Sequence, residues 1–321
     1  METPGKITLW QIEIFVAAAE EPSITGAARR LSASPSAVSQ QLSNLEQALG
    51  APLLNRRERP MPLTPAGELF LRRAQIILNE AAMATSELAV QDLASRIRLR
   101  IGVVEDFDAD VTPALLTHLA EAMPRAQFLL ETGASHRMID KLESRALDVA
   151  IAADPGGIAN DLEVHPLLND PFIGIAPRGL LDGKGAMLDI LRQTPLIQYT
   201  SRHVMGRMIA AHLMRSNMAV SHRFELDSYH SIMAMVAKGE GWSILTPLGI
   251  LRAKRFLGDV DVFELPFDPI ARVISLYAAR DVAGDMPKRV AEAVRPLIRS
   301  ELVEICQDRM PWLKDQMHVL G

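Results

Sequence analysis

One cysteine, Cys306, stands in 321 residues, so no internal disulfide can form and the chain suits a reducing cytoplasm. Redox sensing and buried packing are the two uses open to such a thiol, and packing is the commoner. No apolar run reaches 18 residues, which leaves no candidate transmembrane helix and no expected membrane partner. Residues 1–20 lack the basic start and apolar stretch of a signal peptide, so none is expected. Catalytic signatures are missing too. The eight histidines show no HExxH or similar ligand spacing and the cysteine has no metal companion, so no metal is expected. Gly183-x-Gly185 and Gly239-x-Gly241 lack the spacing of a dinucleotide fingerprint, and no phosphate loop or Gly-x-Ser-x-Gly elbow occurs. Neither a cofactor nor an enzymatic activity is expected. With 48% hydrophobic and 23% charged residues and no internal repeat, the composition describes a globular chain of two or three domains.

What is present is concentrated between Ser23 and Gly67. Ser23 can cap a short helix whose Ala27, Ala28 and Leu31 bury a narrow face, and paired alanines let a second helix approach closely. Ser34 followed by Pro35 starts that second helix, because the hydroxyl takes an orphan N–H and proline suits the first helical position. Val38, Leu42, Leu45 and Leu49 then recur at helical spacing and face inward, and Gly50 is the expected stop. This is a helix-turn-helix whose second member fits a DNA major groove. Asn55 to Pro60 follows as a hairpin closed by Leu63-Thr64, and its Arg56, Arg57 and Arg59 suit phosphates beside the groove. From Ser23 to Arg73 seven arginines stand against three glutamates, a net +4 inside a chain of net −5. A basic island in an acidic protein is a nucleic-acid footprint. The candidate DNA-facing set is Thr25, Arg29, Ser34, Pro35, Ser36, Ser39, Gln40, Ser43, Arg56, Arg57, Arg59 and Thr64, with short polar side chains for base edges and arginines for phosphates.

The pattern resembles the LysR-type transcriptional regulators of bacteria. The residues that carry the resemblance are Phe15, Ala27-Ala28, Leu31, Ser34, Ala37-Val38-Ser39, Leu45-Glu46, Leu49-Gly50, Leu53-Leu54-Asn55-Arg56 and Leu63-Thr64-Pro65-Ala66-Gly67. Pro35, Ser36 and Gln40 stand where the family commonly has Gln, Pro and Arg, so the base preference is expected to differ from the commonest one. Leu54 replaces a usual Phe, a core exchange. The resemblance implies operator DNA as a partner, a small-molecule effector, RNA polymerase as a further partner, and a tetramer built as a dimer of dimers.

Residues 67 to about 93 read as one long helix with no Gly or Pro after Gly67 itself. Phe70, Ala74, Ile77, Ala81, Ala84 and Leu88 form a heptad seam, which predicts dimerisation, as the resemblance also implies. A hinge is expected near Ala94-Ser95-Arg96. Beyond it strands and helices alternate: strands at 97–104, 126–131, 147–152, 172–176, 196–199, 223–225, 242–246 and 272–279. Helices are expected at 113–122, 135–145, 205–216, 231–237 and 287–306. The alternation argues a parallel sheet covered by helices, in two α/β lobes with a ligand cleft between them. The domains expected are a winged helix-turn-helix at 7–66, a linker helix at 67–94 and an effector region at 95–306. In the effector region lobe I covers about 97–170 and 269–306 and lobe II about 171–268; a tail, 307–321, has no assigned role.

By the resemblance, the loops at strand ends line the effector pocket, which assigns Glu105, Asp106, Ser135, Thr200, Ser201, Arg202 and Thr246 to it. Glu105, Asp106, Asp108 and Asp110 make the first loop acidic, which disfavours a multiply charged anion and suits an amine or a neutral aromatic. The same carboxylates could instead serve only to cap the following helix. The functional alternative is a solute-binding or enzymatic α/β domain that carries an interaction module. Salt-dependent binding to duplex DNA separates the two.

Overall fold

The computed structural model describes residues 7–56, 58, 60–89, 98–154, 162–183, 185–280 and 285–321. Arg57, Arg59 and the expected hinge at Ala94-Ser95-Arg96 lie outside the described residues, as does the side chain of Leu88. Two compact units emerge: residues 1–97 with the short segment 143–147, and residues 98–142 with 148–321.

The first unit holds four helices, α1 (Leu9–Glu20), α2 (Ile24–Arg30), α3 (Pro35–Leu49) and α4 (Pro65–Ala89). The expected caps are in place. Ser23 Oγ accepts from Gly26 N at 3.1 Å, Ser34 Oγ accepts from Ala37 N at 3.2 Å, and Gly50 ends α3 at φ +70°. The left-handed φ at Gly50 is open to glycine at no cost from a Cβ. Helix α1 has no counterpart among the expected elements. A capping box of Thr8 and Gln11 starts it, and its residues Gln11, Ile12 and Ile14–Ala18 are buried on nearly every side. A helix buried almost all round leaves little 3.6-residue polarity to read. Val38, Leu42 and Leu45 are buried as expected, whereas Leu49 only packs at the core's edge.

The long helix departs from the expected seam. Ala74 is fully buried in the core of its own unit, and Phe70 packs on Phe15 with ring centroids 5.4 Å apart. Leu71 and Leu78 join the same core. The first two seam positions are therefore spent inside one chain, because the helix carries two apolar stripes and one of them closes the winged core. Ile77 remains 40% exposed, Leu69 61% exposed, and Ala84 is exposed on the outer side.

Among the described residues the second unit contains a six-stranded sheet and a second layer made of a three-stranded and a two-stranded sheet. In the first, β1 (Arg98–Val104) pairs in parallel with β2 (Gln127–Gly133) and β3 (Val149–Ala153). Two longer strands, β4 (Leu162–Pro171) and β10 (Ala271–Ala279), join it antiparallel, so the sheet is mixed rather than parallel. The second layer is assembled from β5 (Ile173–Pro177), β6 (Leu196–Tyr199), β7 (His222–Leu226), β8 (Ser243–Leu245) and β9 (Val260–Phe263). A Leu196–Trp242 bridge links its parallel β6–β7 pair to the antiparallel β8–β5–β9 group. The chain crosses from the six-stranded sheet to the second layer between β4 and β5 and returns between β9 and β10. These crossings place a cleft between two α/β lobes, whose helices include α5 (Val111–Ala122), α6 (Ser135–Glu143), α7 (Met187–Gln193), α8 (Val204–Arg215), α9 (Tyr229–Ala237) and α10 (Pro247–Arg252).

The expected final helix is broken. It runs as α11 (Met286–Ile298), a π turn at Arg299–Val303 and α12 (Glu304–Arg309), with Pro296 inside α11 just before the π turn. Proline cannot donate its hydrogen bond, and a π turn is one way to absorb the irregularity. The tail beyond it is structural. Its β11 (His318–Val319) pairs with β4, Leu320 N donates to Leu167 O at 2.9 Å, and Met310, Leu313 and Met317 are buried. Removing residues 310–321 uncovers the β4 edge and forfeits about 1.5–3 kcal/mol for each of those three side chains. Urea unfolding checks this, and an unchanged midpoint would show that the tail adds no stability.

Candidate nucleic-acid interface and effector cleft

On the winged unit, Thr25, Arg29, Ser34, Pro35, Ser36, Gln40 and Ser43 are exposed, and Ser39 is half-buried. Gln40 Nε2 donates to Asn44 Oδ1 at 2.9 Å, an i,i+4 pair that holds its amide along α3. The hairpin is closed by one antiparallel bridge, Leu54 to Leu63, with Asn55 N donating to Pro62 O at 2.8 Å. Arg56 is not a free phosphate ligand in this arrangement. Its guanidinium lies 2.6 Å from Glu46 Oε2 and donates to Ser43 Oγ at 3.1 Å, which draws the hairpin onto the polar face of α3. Glu46 also accepts from Leu53 N at 2.8 Å and Leu54 N at 3.3 Å. It therefore serves as the joint between recognition helix and wing. Thr64 is likewise committed: its hydroxyl donates to Pro52 O at 2.7 Å and accepts from Gly67 N at 3.0 Å.

In the second unit, a cleft of about 520 Å³, solvent-filled mouth included, opens between the lobes. Of the residues assigned to it from the sequence, Glu105, Asp106 and Ser135 line it. The Ser135 hydroxyl accepts from Ala153 N at 3.0 Å, so it joins α6 to the end of β3. Thr200, Ser201 and Arg202 do not line the cleft. Thr200 Oγ1 donates to Glu225 Oε1 at 2.7 Å, and Ser201 gives the same oxygen its N–H at 2.9 Å and its hydroxyl at 3.1 Å. Those bonds hold the Glu225 carboxyl below its ordinary pKa. Arg202 is exposed, and its carbonyl accepts from Arg207 Nη1 at 3.0 Å. Thr246 caps α10 and touches the cleft only indirectly, accepting from Arg272 Nη2 at 3.3 Å. The acidic loop is not a set of helix caps either. Asp110 makes no side-chain cap bond, and Asp108 lies 3.6 Å from Arg252.

The feature that sequence reasoning missed is a buried charge cluster at the cleft. Arg272, from β10, has Nη2 at 2.8 Å from both Asp106 Oδ2 and Asp170 Oδ2, and its Nε donates to Asp170 Oδ2 at 2.9 Å. Side-chain exposures of 7%, 1% and 0% put all three groups out of water. Among the described residues, Asp106 Oδ1 and Asp170 Oδ1 have no hydrogen-bond partner. Burial pushes the Asp170 carboxyl up to about 6 despite the neighbouring guanidinium. The wall opposite carries Tyr199 and Tyr229, ring centroids 5.6 Å apart, with His203, Met205 and Met208. His136 meets His203 across the cleft at 5.6 Å between centroids, and burial together with His203 lowers its pKa. A charged residue at the start of an otherwise apolar strand was the one available sign of Arg272.

A helix-turn-helix unit and a two-lobed α/β unit with a polar cleft together define a ligand-responsive DNA-binding protein. Residues 9–68 match the family model "Bacterial regulatory helix-turn-helix protein, lysR family", and residues 94–302 match "LysR substrate binding domain". The chain belongs to the LysR family of transcriptional regulators, DNA-binding proteins modulated by a small-molecule effector. It is 28% identical over 285 residues to a probable RuBisCO transcriptional regulator of Thalassiosira pseudonana, covering 85% of this chain and 92% of that one. A probable hydrogen peroxide-inducible genes activator of Streptomyces viridosporus is 27% identical over 309 residues, or 94% and 97% of the two chains. Among solved structures, full-length CbnR complexed with its target DNA superposes with a TM-score of 0.60 at 20% identity, covering 91% and 100%. At that identity the likeness speaks to the fold. No described helix is long and apolar enough to cross a membrane.

Proposed function

We propose that residues 7–66 bind operator DNA through the exposed face of α3 and the basic hairpin, that α4 pairs two copies, and that a small molecule in the interlobe cleft controls the assembly. The cleft carries the reading: a few polar groups converge on it from both lobes, which is how small-molecule sites fix orientation. A ligand shifts such an equilibrium only by its different affinity for two arrangements. Lobe closure that respaces paired recognition helices on the duplex supplies that difference. The protein acts in the cytoplasm without catalysis, and contact with RNA polymerase converts bound DNA into altered transcription. Among the groups proposed for DNA, Arg56 also orders the wing, Ser36 and Gln40 offer exposed polar reach along α3, and Ile77, Ala81 and Ala84 supply the pairing face.

Selection of genomic fragments by the full chain, followed by footprinting, tests the reading. Salt-insensitive or absent duplex binding would leave the solute-binding alternative. Ile77→Asp places a charge on the pairing face, and loss of the dimer is expected to lower affinity for a selected fragment about 10²-fold or more, since two linked helices gain that much avidity. A variant that stays dimeric in sedimentation and binds normally would move the interface off this helix.

A further inference from the structure

Among the described residues three carboxylates, Glu105, Asp106 and Asp154, line the cleft, and the one arginine in that lining, Arg272, is already shared between Asp106 and Asp170. Glu105 makes no ion pair among the described residues. An anionic ligand entering here would meet Glu105 and the Asp106–Arg272–Asp170 cluster, with no uncommitted arginine among the described lining residues. His136 adds little positive charge at neutral pH, because partial burial and the neighbouring His203 lower its pKa. Asp106 meanwhile keeps one oxygen without a hydrogen-bond partner on a side chain that is 1% exposed. A buried acceptor left unmade costs free energy that a bound donor would recover.

The rest of the lining matches that demand. Tyr199 donates its hydroxyl to Asp227 O at 3.2 Å, and the Tyr229 hydroxyl lies 3.8 Å from Met205 Sδ. With their polar tips engaged, both phenols contribute ring surface to the cleft. Aromatic rings beside carboxylates favour a positive charge, through the ring quadrupole and through charge-assisted hydrogen bonds. We propose that the cleft takes a small organic cation, an amine or alkylated ammonium, whose charged end lies against Asp106 and Glu105 and whose body packs on Tyr199 and Tyr229. The proposal rests on the cleft being the effector site and adds the charge and class of the effector.

The test titrates the full chain by calorimetry with isosteric probes: 2-phenylethylamine, tetramethylammonium and butylamine against 3-phenylpropionate, butyrate and 2-phenylethanol. At least one cation is expected to bind tenfold or more tightly than its matched carboxylate or alcohol. Glu105→Gln, which keeps shape and leaves the Arg272 cluster intact, should weaken that cation about tenfold or more while leaving the unfolding midpoint in place. Carboxylates that bind as well as the amines would overturn the proposal. So would cation affinity indifferent to Glu105→Gln, or no cation binding up to on the order of 10 mM. Binding to the selected DNA fragment is measured on the same sample. DNA binding without any cation effect removes the cation and leaves the regulator; cation binding without DNA binding does the reverse.

Discussion

Arg272→Ala is expected to destabilise the second unit by about 3–5 kcal/mol, because breaking a buried ion pair leaves its partners charged and unpaired. Here two carboxylates, Asp106 and Asp170, depend on the one guanidinium. The pH dependence has a definite sign. The folded Asp170 carboxyl, at about 6, lies above its ordinary value of 3.8. The folded state therefore holds this proton more tightly, and the stability it contributes is present below the ordinary value and lost as pH rises towards 6. Without Arg272 the Asp170 carboxyl titrates higher still, so the variant's deficit should be smaller near about pH 5 than near about pH 8. Urea unfolding at the two pH values measures it. A deficit below about 1 kcal/mol with no pH trend would mean that the cluster is solvated in solution. A triple variant, Arg272→Met with Asp106→Leu and Asp170→Leu, should recover much of the stability, since well-packed apolar groups commonly replace a buried ionic triad without loss. It should also abolish the binding of a cationic probe, which separates the cluster's cost in folding from its use in recognition.

The DNA-binding half was legible because its signals are local. Ser23, Ser34-Pro35 and Gly50 each act within one helical turn, and each does in the structure what the sequence implied. Helix α1 escaped because it is buried on nearly every side and so carries no stripe. The seam on α4 was half right for a related reason. Two apolar stripes run along that helix, and spacing alone does not say which one closes its own core through Phe70 and Ala74. In the second unit the alternation of strands and helices revealed the class. Strands β4 and β9 and the tail strand β11 were missed, since their pairing partners lie far away in sequence, and so were the short helices α7 and α10, of seven and six residues. The cleft was the least legible part. Asp106 was assigned to the pocket from the sequence, but its partners Asp170 and Arg272 come from distant points of the chain, and each read singly is an ordinary surface charge. Thr200 and Ser201 have the chemistry of ligand donors, yet Glu225, a residue on β7, occupies both hydroxyls.

Family membership does not carry every relative's chemistry with it. A relative named for hydrogen peroxide induction is 27% identical to this chain. Thiol-based sensing needs an accessible thiolate. Cys306, the one cysteine, is fully buried, and burial pushes its thiol up to about 12. The buried-packing use considered for this thiol is the one the structure supports. The acidic, aromatic cleft is where a signal has the groups to be recognised.

Gly67→Ala should separate the wing from the helix that closes it and abolish DNA binding, although alanine is the better helix former by about 1 kcal/mol. A Cβ at this position would sit 2.0 Å from Leu53 O and 3.0 Å from Leu53 C, both backbone atoms, and 3.1 Å from Leu63 Cδ2. Backbone cannot swing aside as a long side chain can. The Leu53 carbonyl is further pinned by Thr64 N at 2.9 Å, and Leu53 N by Glu46 at 2.8 Å. Either α4 or the base of the hairpin must move, at a cost of about 1–3 kcal/mol or more for overpacking, and the movement falls on the joint that also holds Arg56 against α3. Gly50 is the contrast. No atom lies within 4 Å of its would-be Cβ, and only its φ of +70° resists substitution. Gly50→Ala should therefore cost about 1–2 kcal/mol of backbone strain and weaken DNA binding far less. Fragment affinity and calorimetric unfolding of the two variants, each in the full chain, decide between close packing and conformational freedom as the reason for Gly67. Cation binding at the cleft should be untouched in both, because Gly50 and Gly67 belong to the other compact unit and share no partners with the cleft residues. A Gly67→Ala protein that binds DNA like the parent would show that the wing tolerates displacement and that α3 alone positions the contacts.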